Sequence, residues 1–596
     1  MKFMKKEVLQ QEYDNLVSKY HMQIEQNNEG INVAIKEILD MFCRQCKRPA
    51  IWCNGMHTRS LMTDFMFEMR NVKYVVDKFQ NPTEYSGFQV IKPEQVQENG
   101  IDGVIISTFR WRDEIINDIK NICPDIKCLD MYAVLEQKGM KLTGEYYAQG
   151  SPYTYYHKVN RLLRRFLNLP ASQEKEEICR ELVEGFVGKK DFRTAVTYAE
   201  QLFALTGKPV YKELADDIEK VYRLELQAAE EISEDNVLMC CLDGLRRKDV
   251  QNIMPKFKQY IDETALFFDN AYSVSTSTYE SLIPAFSDYK DLNLVCYDES
   301  SVKEENCPFI GKAKEQGRTI HFYTDATPYI DTDCIDVTTA TQTVTEKTWD
   351  FIMDACDEHN GLFYVHILYE SHFAFPNPYT QDELITFGSV IILEYTDKNG
   401  GKLRRDYRKQ HDDSIRYIDD VLTPVLEKLK CRMVLFADHG NLLPAKEKKL
   451  EEWGETEYTF HEDRVQIPII VKSPENGVGV DSGIISLASI NNILLALMEK
   501  REFVRPETEY VKLVRSKVYN QALRSLYQKM GQETGLEAYE MFEFADGYKL
   551  GVFANGEVRL YSAATEERIE NIEQKRHYYE KVKGQITVCD LDKLCL

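Results

Sequence analysis

Four short stretches of the chain, "NVLMCCL" (236–242), "LFYVHIL" (362–368), "CRMVLFA" (431–437) and "VQIPIIV" (465–471), are almost uninterrupted in apolar residues. A strand with one face in water alternates apolar and polar side chains. Continuous runs of this length belong instead to a sheet covered on both faces, and helices are the covering that alternating elements supply. Between two of them, "DSIRYIDDVLTPVLEKLK" (413–430) places Ile415, Ile418, Val421, Leu422, Val425, Leu426 and Leu429 on one helical stripe. The pattern predicts an α/β fold with a doubly wound sheet over residues 233–500.

A second alternating region precedes it. "PAIWCNG", "VKYVVDKF", "IDGVIISTF" and "IKCLDMY" read as strands, separated by helical "TRSLMTDFMFEM" and "RDEIINDIKNI". This predicts a small Rossmann-like α/β domain over 1–150. Its first turn, "CNGMHTRS", has only Gly55 and lacks G-x-G-x-x-G, so dinucleotide binding is poorly supported; Asp77 at the end of the second strand reads either as a ribose ligand or as an acidic residue closing a strand in a solvated turn. Residues 151–232 read as successive helices forming a linker or cover, and 501–596 as a C-terminal subdomain with a hairpin at Asn555-Gly556.

Composition narrows the partners. With 97 Asp and Glu against 74 Lys and Arg, the net charge of −23 argues against nucleic acid or anionic lipid as a general partner. The 15 Cys show neither a disulfide framework nor zinc-ribbon spacing, despite "CRQC" at 43–46, and no run approaches membrane-spanning length. These features lead us to expect a cytoplasmic protein without an integral membrane segment.

Residues with chemistry cluster where strands of a parallel sheet end. The first run delivers Asp243 and Gly244, the second Glu370, Ser371 and His372, the third Asp438, His439 and Gly440, and His461 precedes the fourth. Between the first two lies "NAYSVSTSTYESLIPAF" (270–286), with hydroxyls at Ser273, Ser275, Thr276, Ser277 and Thr278. Carboxylates, imidazole and a hydroxyl form an oxygen-rich site for a divalent metal ion, Mn or Zn foremost and Mg or Ca admissible. A metal-bound hydroxyl is a nucleophile near neutral pH.

In this order, "NVLMCCLDGLRRKDV", "FFDNAYSVSTSTYESLIPAF", "LFYVHILYESHFAFPNPY", "VLFADHGN" and "FHEDRVQIPIIVKSP" resemble the sulfatase-like branch of the alkaline phosphatase superfamily over 236 to about 500. The S-T-S-T-Y stretch lacks the Pro and Arg of the sulfatase C/S-x-P-S-R pattern. "TSTYESLIP" is instead similar to the nucleophile segments of phosphoethanolamine transferases and lipoteichoic acid synthases, a register that selects Thr276, with Ser275 the alternative and Ser277 and Thr278 expected to serve the start of a helix. The resemblance implies Asp243, Thr276, Asp438 and His439 as metal ligands. It implies Thr276, His372 and His461 in catalysis, and it leaves Arg246 and Arg464 as candidate substrate-binding phosphate clamps, with surface ion pairs near element ends as the alternative reading. Two departures stand out: those transferases are membrane-anchored, and they commonly carry Glu where this chain has Asp243.

The implied function is a metal-dependent phosphotransferase or phosphodiesterase acting on a phosphoester donor. The resemblance of 1–150 to domains beside glycan-assembly enzymes suggests a glycan or lipid-linked acceptor. Two alternatives are a sulfatase-like hydrolase of sulfate or phosphate esters and a degenerate scaffold of a glycan-assembly system.

Overall fold

The computed structural model describes residues 6–589 except 25–28, scattered positions between 55 and 87, 109–110, 141–151, 288–301, 325–329, 331, 373, 386–400, 444–460 and 516–536. Gly55 and most of "TRSLMTDFMFEM" lie outside the described residues.

The first sheet contains β1 (Pro49–Trp52), β2 (Tyr74–Val76), β3 (Glu84–Tyr85), β4 (Phe88–Ile91), β5 (Gly103–Ile106) and β6 (Lys127–Leu129), in spatial order β3-β4-β2-β1-β5-β6. All neighbours are parallel except the β3–β4 hairpin. The order reverses direction at β1, as in a doubly wound Rossmann-like sheet. Separate apolar cores cover its two faces, one around Ile35, Leu39, Val75 and Ile105, the other around Trp52, Val76, Ile106 and Ile119.

The second sheet holds β7 (Val237–Leu242), β8 (Leu266–Tyr272), β9 (Thr319–Tyr323), β10 (Asp336–Thr338), β11 (Gly361–Ile367), β12 (Arg432–Phe436), β13 (Gln466–Lys472), β14 (Gly479–Asp481) and β15 (Ile485–Ser486). Its order is β10-β9-β11-β7-β12-β13-β8-β14, with β15 also on β8. The fully buried patterns of β7 and β11 match the apolar runs from which they were read. Only β13 runs antiparallel to its neighbours β12 and β8. The chain enters it through a short helix, Glu462–Val465, at the edge where β12 ended. Register sets the site: Leu242 pairs with Ile367 and Cys241 with Phe436, so the residues following these strands emerge side by side.

Helices Pro152–Asn168, Gln173–Gly188, Phe192–Thr206 and Pro209–Glu231 share one apolar core with this sheet. Local signals fix their ends. Asp191 accepts the Thr194 N–H (3.0 Å) as an N-cap, and Gly207 closes the same helix in the left-handed region (φ 66°). The helix Lys6–Lys19 joins this layer through Leu9, Tyr13 and Leu16, with Tyr13 against Phe192 and Trp349. These first residues, expected with the Rossmann-like domain, thus pack elsewhere.

The C-terminal sheet is an antiparallel meander of β16 (Tyr510–Arg515), β17 (Tyr539–Phe544), β18 (Tyr548–Phe553) and β19 (Val558–Ser562). The expected Asn555-Gly556 hairpin joins β18 to β19. Gly556 takes φ 88°, and the Phe553 N–H reaches the Glu557 carbonyl at 3.0 Å, so a three-residue loop with a glycine bulge closes it. Among the described residues, no helix is long and apolar enough to cross a membrane.

Candidate active site

At the carboxyl ends of β7 and β12, two carboxylates come together in full burial. Asp243 follows β7 and Asp438 follows β12. Asp438 Oδ1 accepts the backbone N–H groups of Gly244 (3.0 Å) and His439 (2.8 Å). Its Oδ2, and Oδ1 of Asp243, are buried without a hydrogen-bond partner. Burial first, then the field of Asp438, pushes the Asp243 carboxyl up to about 7. Carboxylate oxygens are left this way at high cost unless something positive occupies the space between them.

Two imidazoles complete the group. His439 Nε2 lies 3.8 Å from Asp243 Oδ1 and 3.4 Å from Asp438 Oδ2, while its Nδ1 is held by the Gly440 carbonyl at 3.0 Å. His372 Nε2 is also 3.8 Å from Asp243 Oδ1, and this ring is partly open to solvent. One ligand atom from each of Asp243, His372 and His439 falls within 4.8 Å of the others. With Nδ1 turned to a backbone carbonyl, His439 directs Nε2 toward the two carboxylates, so the donor set fits a divalent cation.

Backbone compactness makes this approach feasible. Gly244 has φ 72°, and a Cβ there would fall 2.2 Å from Asn441 Nδ2, which donates to the Gly244 and Ser371 carbonyls (2.9 and 3.3 Å). At Gly440, a Cβ would meet the Asp463 carbonyl at 2.1 Å.

The hydroxyl run separates into distinct roles. Ser273 Oγ lies within reach of the Ser275 and Asp438 carbonyls and ties the loop to β12. Ser275 donates to Glu280 at 2.7 Å. Ser277 stands at the helix N-cap without making a capping bond. The hydroxyl that joins the acid and imidazole groups is that of Thr278, not the expected Thr276. Thr278 Oγ1 is 3.2 Å from Asp243 Oδ2 and 3.4 Å from His439 Nε2. The helix Thr278–Phe286 begins at that residue, which puts its side chain and the positive end of the helix dipole at the cluster. Thr276 lies in the turn before it, where its Oγ1 accepts from Arg515 Nη1.

The other expected residues are placed differently. Arg246 is buried in ion pairs with Asp249 (2.5 Å) and Asp463 (3.3 Å) and hydrogen-bonded to His411 (3.2 Å). Its charge is satisfied there, so of the two readings of Arg246 the ion pair is the one observed, in the interior and not at the surface. His461 caps the helix Glu462–Val465 by accepting the Asp463 N–H at Nδ1 (3.0 Å), and burial lowers its pKa. Arg464 lies on that helix, and its carbonyl accepts the Gly440 N–H at 2.8 Å.

Of two supporting residues, His366 escaped the sequence reading and Glu370 was read only as a residue at a strand end. His366 is buried within β11, its Nε2 3.1 Å from Asp243 Oδ2 and its Nδ1 3.0 Å from Thr324 Oγ1. With a carboxylate on one side and a hydroxyl on the other, a neutral ring donating from Nε2 orients Asp243. Glu370, held by Tyr156 (2.8 Å) and the Val344 N–H (3.0 Å), anchors the turn carrying His372 to the helical layer, and burial pushes it up to about 7. The only sequence signal for His366 was a histidine inside an apolar strand.

Residues 235–500 match the family model described as Sulfatase. No curated protein sequence matches the chain. Among solved structures, a phosphonate monoester hydrolase from Silicibacter pomeroyi is similar at 12% identity and TM-score 0.43, covering 59% of this chain and 94% of its own. The lipoteichoic acid synthase LtaP from Listeria monocytogenes is similar at 12% identity and TM-score 0.38, covering 59% and 90%. The C-terminal periplasmic domain of EcEptC from Escherichia coli is similar at 13% identity and TM-score 0.33, covering 47% and 88%.

Proposed function

We propose that residues 235–500, which match the family model described as Sulfatase, form a phosphoester transferase or phosphodiesterase in which Thr278 is the nucleophile. The observation that carries this reading is the position of Thr278 Oγ1 between Asp243 Oδ2 and His439 Nε2.

Asp243, Asp438, His439 and His372 would hold the divalent cation, with Thr278 beside it. The ion supplies a lowered hydroxyl pKa and neutralisation of charge on the phosphoryl oxygens. Thr278, its proton given up to solvent, attacks phosphorus. The bond from phosphorus to the leaving oxygen breaks, and His372 at the open rim protonates that oxygen. An acceptor hydroxyl then passes its proton to His372 while its oxygen attacks phosphorus, and the Thr278–phosphorus bond breaks to return the starting alkoxide. His366 keeps Asp243 in place throughout. We assign a glycan hydroxyl as acceptor, supported by the Rossmann-like domain in the same chain.

The test compares hydrolysis of bis(p-nitrophenyl) phosphate, p-nitrophenyl phosphate and p-nitrophenyl sulfate with added Mn²⁺ by the wild type, Thr278→Ala and Thr276→Ala. The diester should be preferred. Thr278→Ala should lose at least about 1,000-fold in kcat, as loss of a covalent nucleophile does, with bound metal retained, while Thr276→Ala keeps turnover. Preference for the sulfate ester, or inactivation only by Thr276→Ala, would overturn the proposal.

A further inference from the structure

The family match begins at residue 235, yet the turn that carries His372 is held from before it. Glu370, two residues ahead of His372 and 1% exposed, receives two donors on one oxygen: Oε1 accepts the Tyr156 hydroxyl at 2.8 Å and the Val344 N–H at 3.0 Å. Both donors lead back to the helical layer. Tyr156 lies on the helix Pro152–Asn168. Val344 opens the helix Val344–Ala355, whose first turn is tied to Lys189 by the Glu346 ion pair (3.0 Å) and by the Thr345 hydroxyl donating to the Lys189 carbonyl (2.7 Å).

A phenol has a single proton, so the direction of each bond can be worked out. Tyr156 has two acceptors in reach, Glu370 at 2.8 Å and the Tyr417 oxygen at 3.4 Å, and its proton goes to the nearer. Tyr417 spends its own on Asp191 Oδ2 at 2.9 Å, where Asp191 caps the helix Phe192–Thr206. The turn is also tied through its backbone. Ser414 Oγ donates to the Glu370 carbonyl at 2.6 Å, Asn441 Nδ2 to the Ser371 carbonyl at 3.3 Å, and the Phe375 N–H to the His372 carbonyl at 2.8 Å. Those three partners lie within the family match, and Tyr156 does not. A buried carboxylate that loses a donor moves to replace it, and a shift of Glu370 is carried along the turn to the imidazole.

Resting on the reading in which His372 serves the Thr278 site, we propose that Tyr156 is a positioning residue for the reaction: through Glu370 it fixes the turn from which His372 reaches the Asp243–His439 cluster. The helical layer is thereby part of the catalytic unit.

The experiment uses the full chain and compares the wild type, Tyr156→Phe, Tyr417→Phe, Glu370→Leu and the double variant Tyr156→Phe/Glu370→Leu. Mn²⁺ binding is measured by calorimetry, hydrolysis of bis(p-nitrophenyl) phosphate at saturating Mn²⁺ by steady-state kinetics, and folding by melting temperature. Tyr156→Phe should weaken Mn²⁺ binding by about 10-fold, the lower end of the range for residues that orient metal ligands, and lower kcat with KM little changed. Tyr417→Phe deletes the same group from the neighbouring ring but leaves Glu370 its donor, so it should bind Mn²⁺ as the wild type does. In the Glu370→Leu background, Tyr156→Phe should cause no further loss, because the pair acts as one unit. Should Glu370→Leu melt early, the two phenylalanine variants decide between them. Unchanged Mn²⁺ affinity in a folded Tyr156→Phe, or equal losses in Tyr156→Phe and Tyr417→Phe, would overturn the assignment. Wild-type protein that binds Mn²⁺ more tightly than Tyr156→Phe but hydrolyses no phosphoester would instead refute the phosphoester reading and leave the positioning role standing.

Discussion

Substituting Gly244 by alanine tests whether the approach of two buried carboxylates depends on a single missing Cβ. Residue 244 sits at φ 72°, a conformation that costs an L-residue about 1–2 kcal/mol. The new methyl would fall 2.2 Å from Asn441 Nδ2, displacing an amide that bonds the Gly244 and Ser371 carbonyls. Each bond contributes about 1 kcal/mol, so the total loss is about 3–4 kcal/mol. For a domain of a few hundred residues this lowers the melting temperature by roughly 6–15 °C. Because the Gly244 N–H also holds Asp438 Oδ1, the variant should bind Mn²⁺ more weakly in calorimetry. Gly311→Ala is the control. It lies in the helix Pro308–Glu315 with nothing within 4 Å of its added Cβ, and removing its backbone freedom should stabilise by about 0.5–1 kcal/mol. If Gly244→Ala melts within 2 °C of the wild type, by the same conversion, and binds Mn²⁺ as tightly, the steric reasoning is refuted.

Burial, with a smaller contribution from Asp191, pushes Glu225 up to about 8 from 4.5. A raised carboxyl favours folding least when the unfolded chain is ionised, so stability is full below pH 4.5 and falls by up to about 1.4 kcal/mol per pH unit until pH 8. Glu225→Gln should flatten the fall in melting temperature between pH 5 and pH 8, by linkage, and equal slopes in the two proteins would count against it. Lys549, with no exposed side-chain surface, pairs with Glu566 (2.6 Å) and Glu462 (3.3 Å) beside Glu543, whose two carboxyl oxygens are buried without hydrogen-bond partners. Lys549→Met should destabilise by about 3–5 kcal/mol, and adding Glu566→Gln should recover part of it; a loss under about 1 kcal/mol in thermal melting would show that the pair contributes little.

Strands β7, β11, β12 and β13 were legible because burial on both faces leaves a signature in consecutive residues, and Asp243, His372, Asp438 and His439 because they follow such runs closely, whereas β8, β9 and β10 carry mixed patterns and were not read. Choosing among neighbouring hydroxyls was not possible from spacing alone. Thr276 and Thr278 differ by where a helix starts, and the loop before it is tied at Ser273 to the Asp438 carbonyl and at Val274 to β16, contacts that local sequence does not encode. His366 reads as one more core residue of β11 until Asp243 is seen beside it. Arg515 had no sequence signal, since only the fold brings it to the nucleophile loop. The docking of helix Lys6–Lys19 was hidden for the same reason: an amphipathic helix shows that it has a partner without showing which.

That docking has a consequence for the order in which the protein forms during synthesis. Lys6 pairs with Asp354 at 2.5 Å, a partner that follows it by 348 residues. At about 5–20 residues per second, the ribosome reaches that partner roughly 20–70 s after making the helix. The Rossmann-like sheet has its apolar cores between Ile31 and Leu135, complete long before then. It is an insertion in a body whose first helix waits, solvated, for the rest, so the domain that begins to appear second is the one able to finish first.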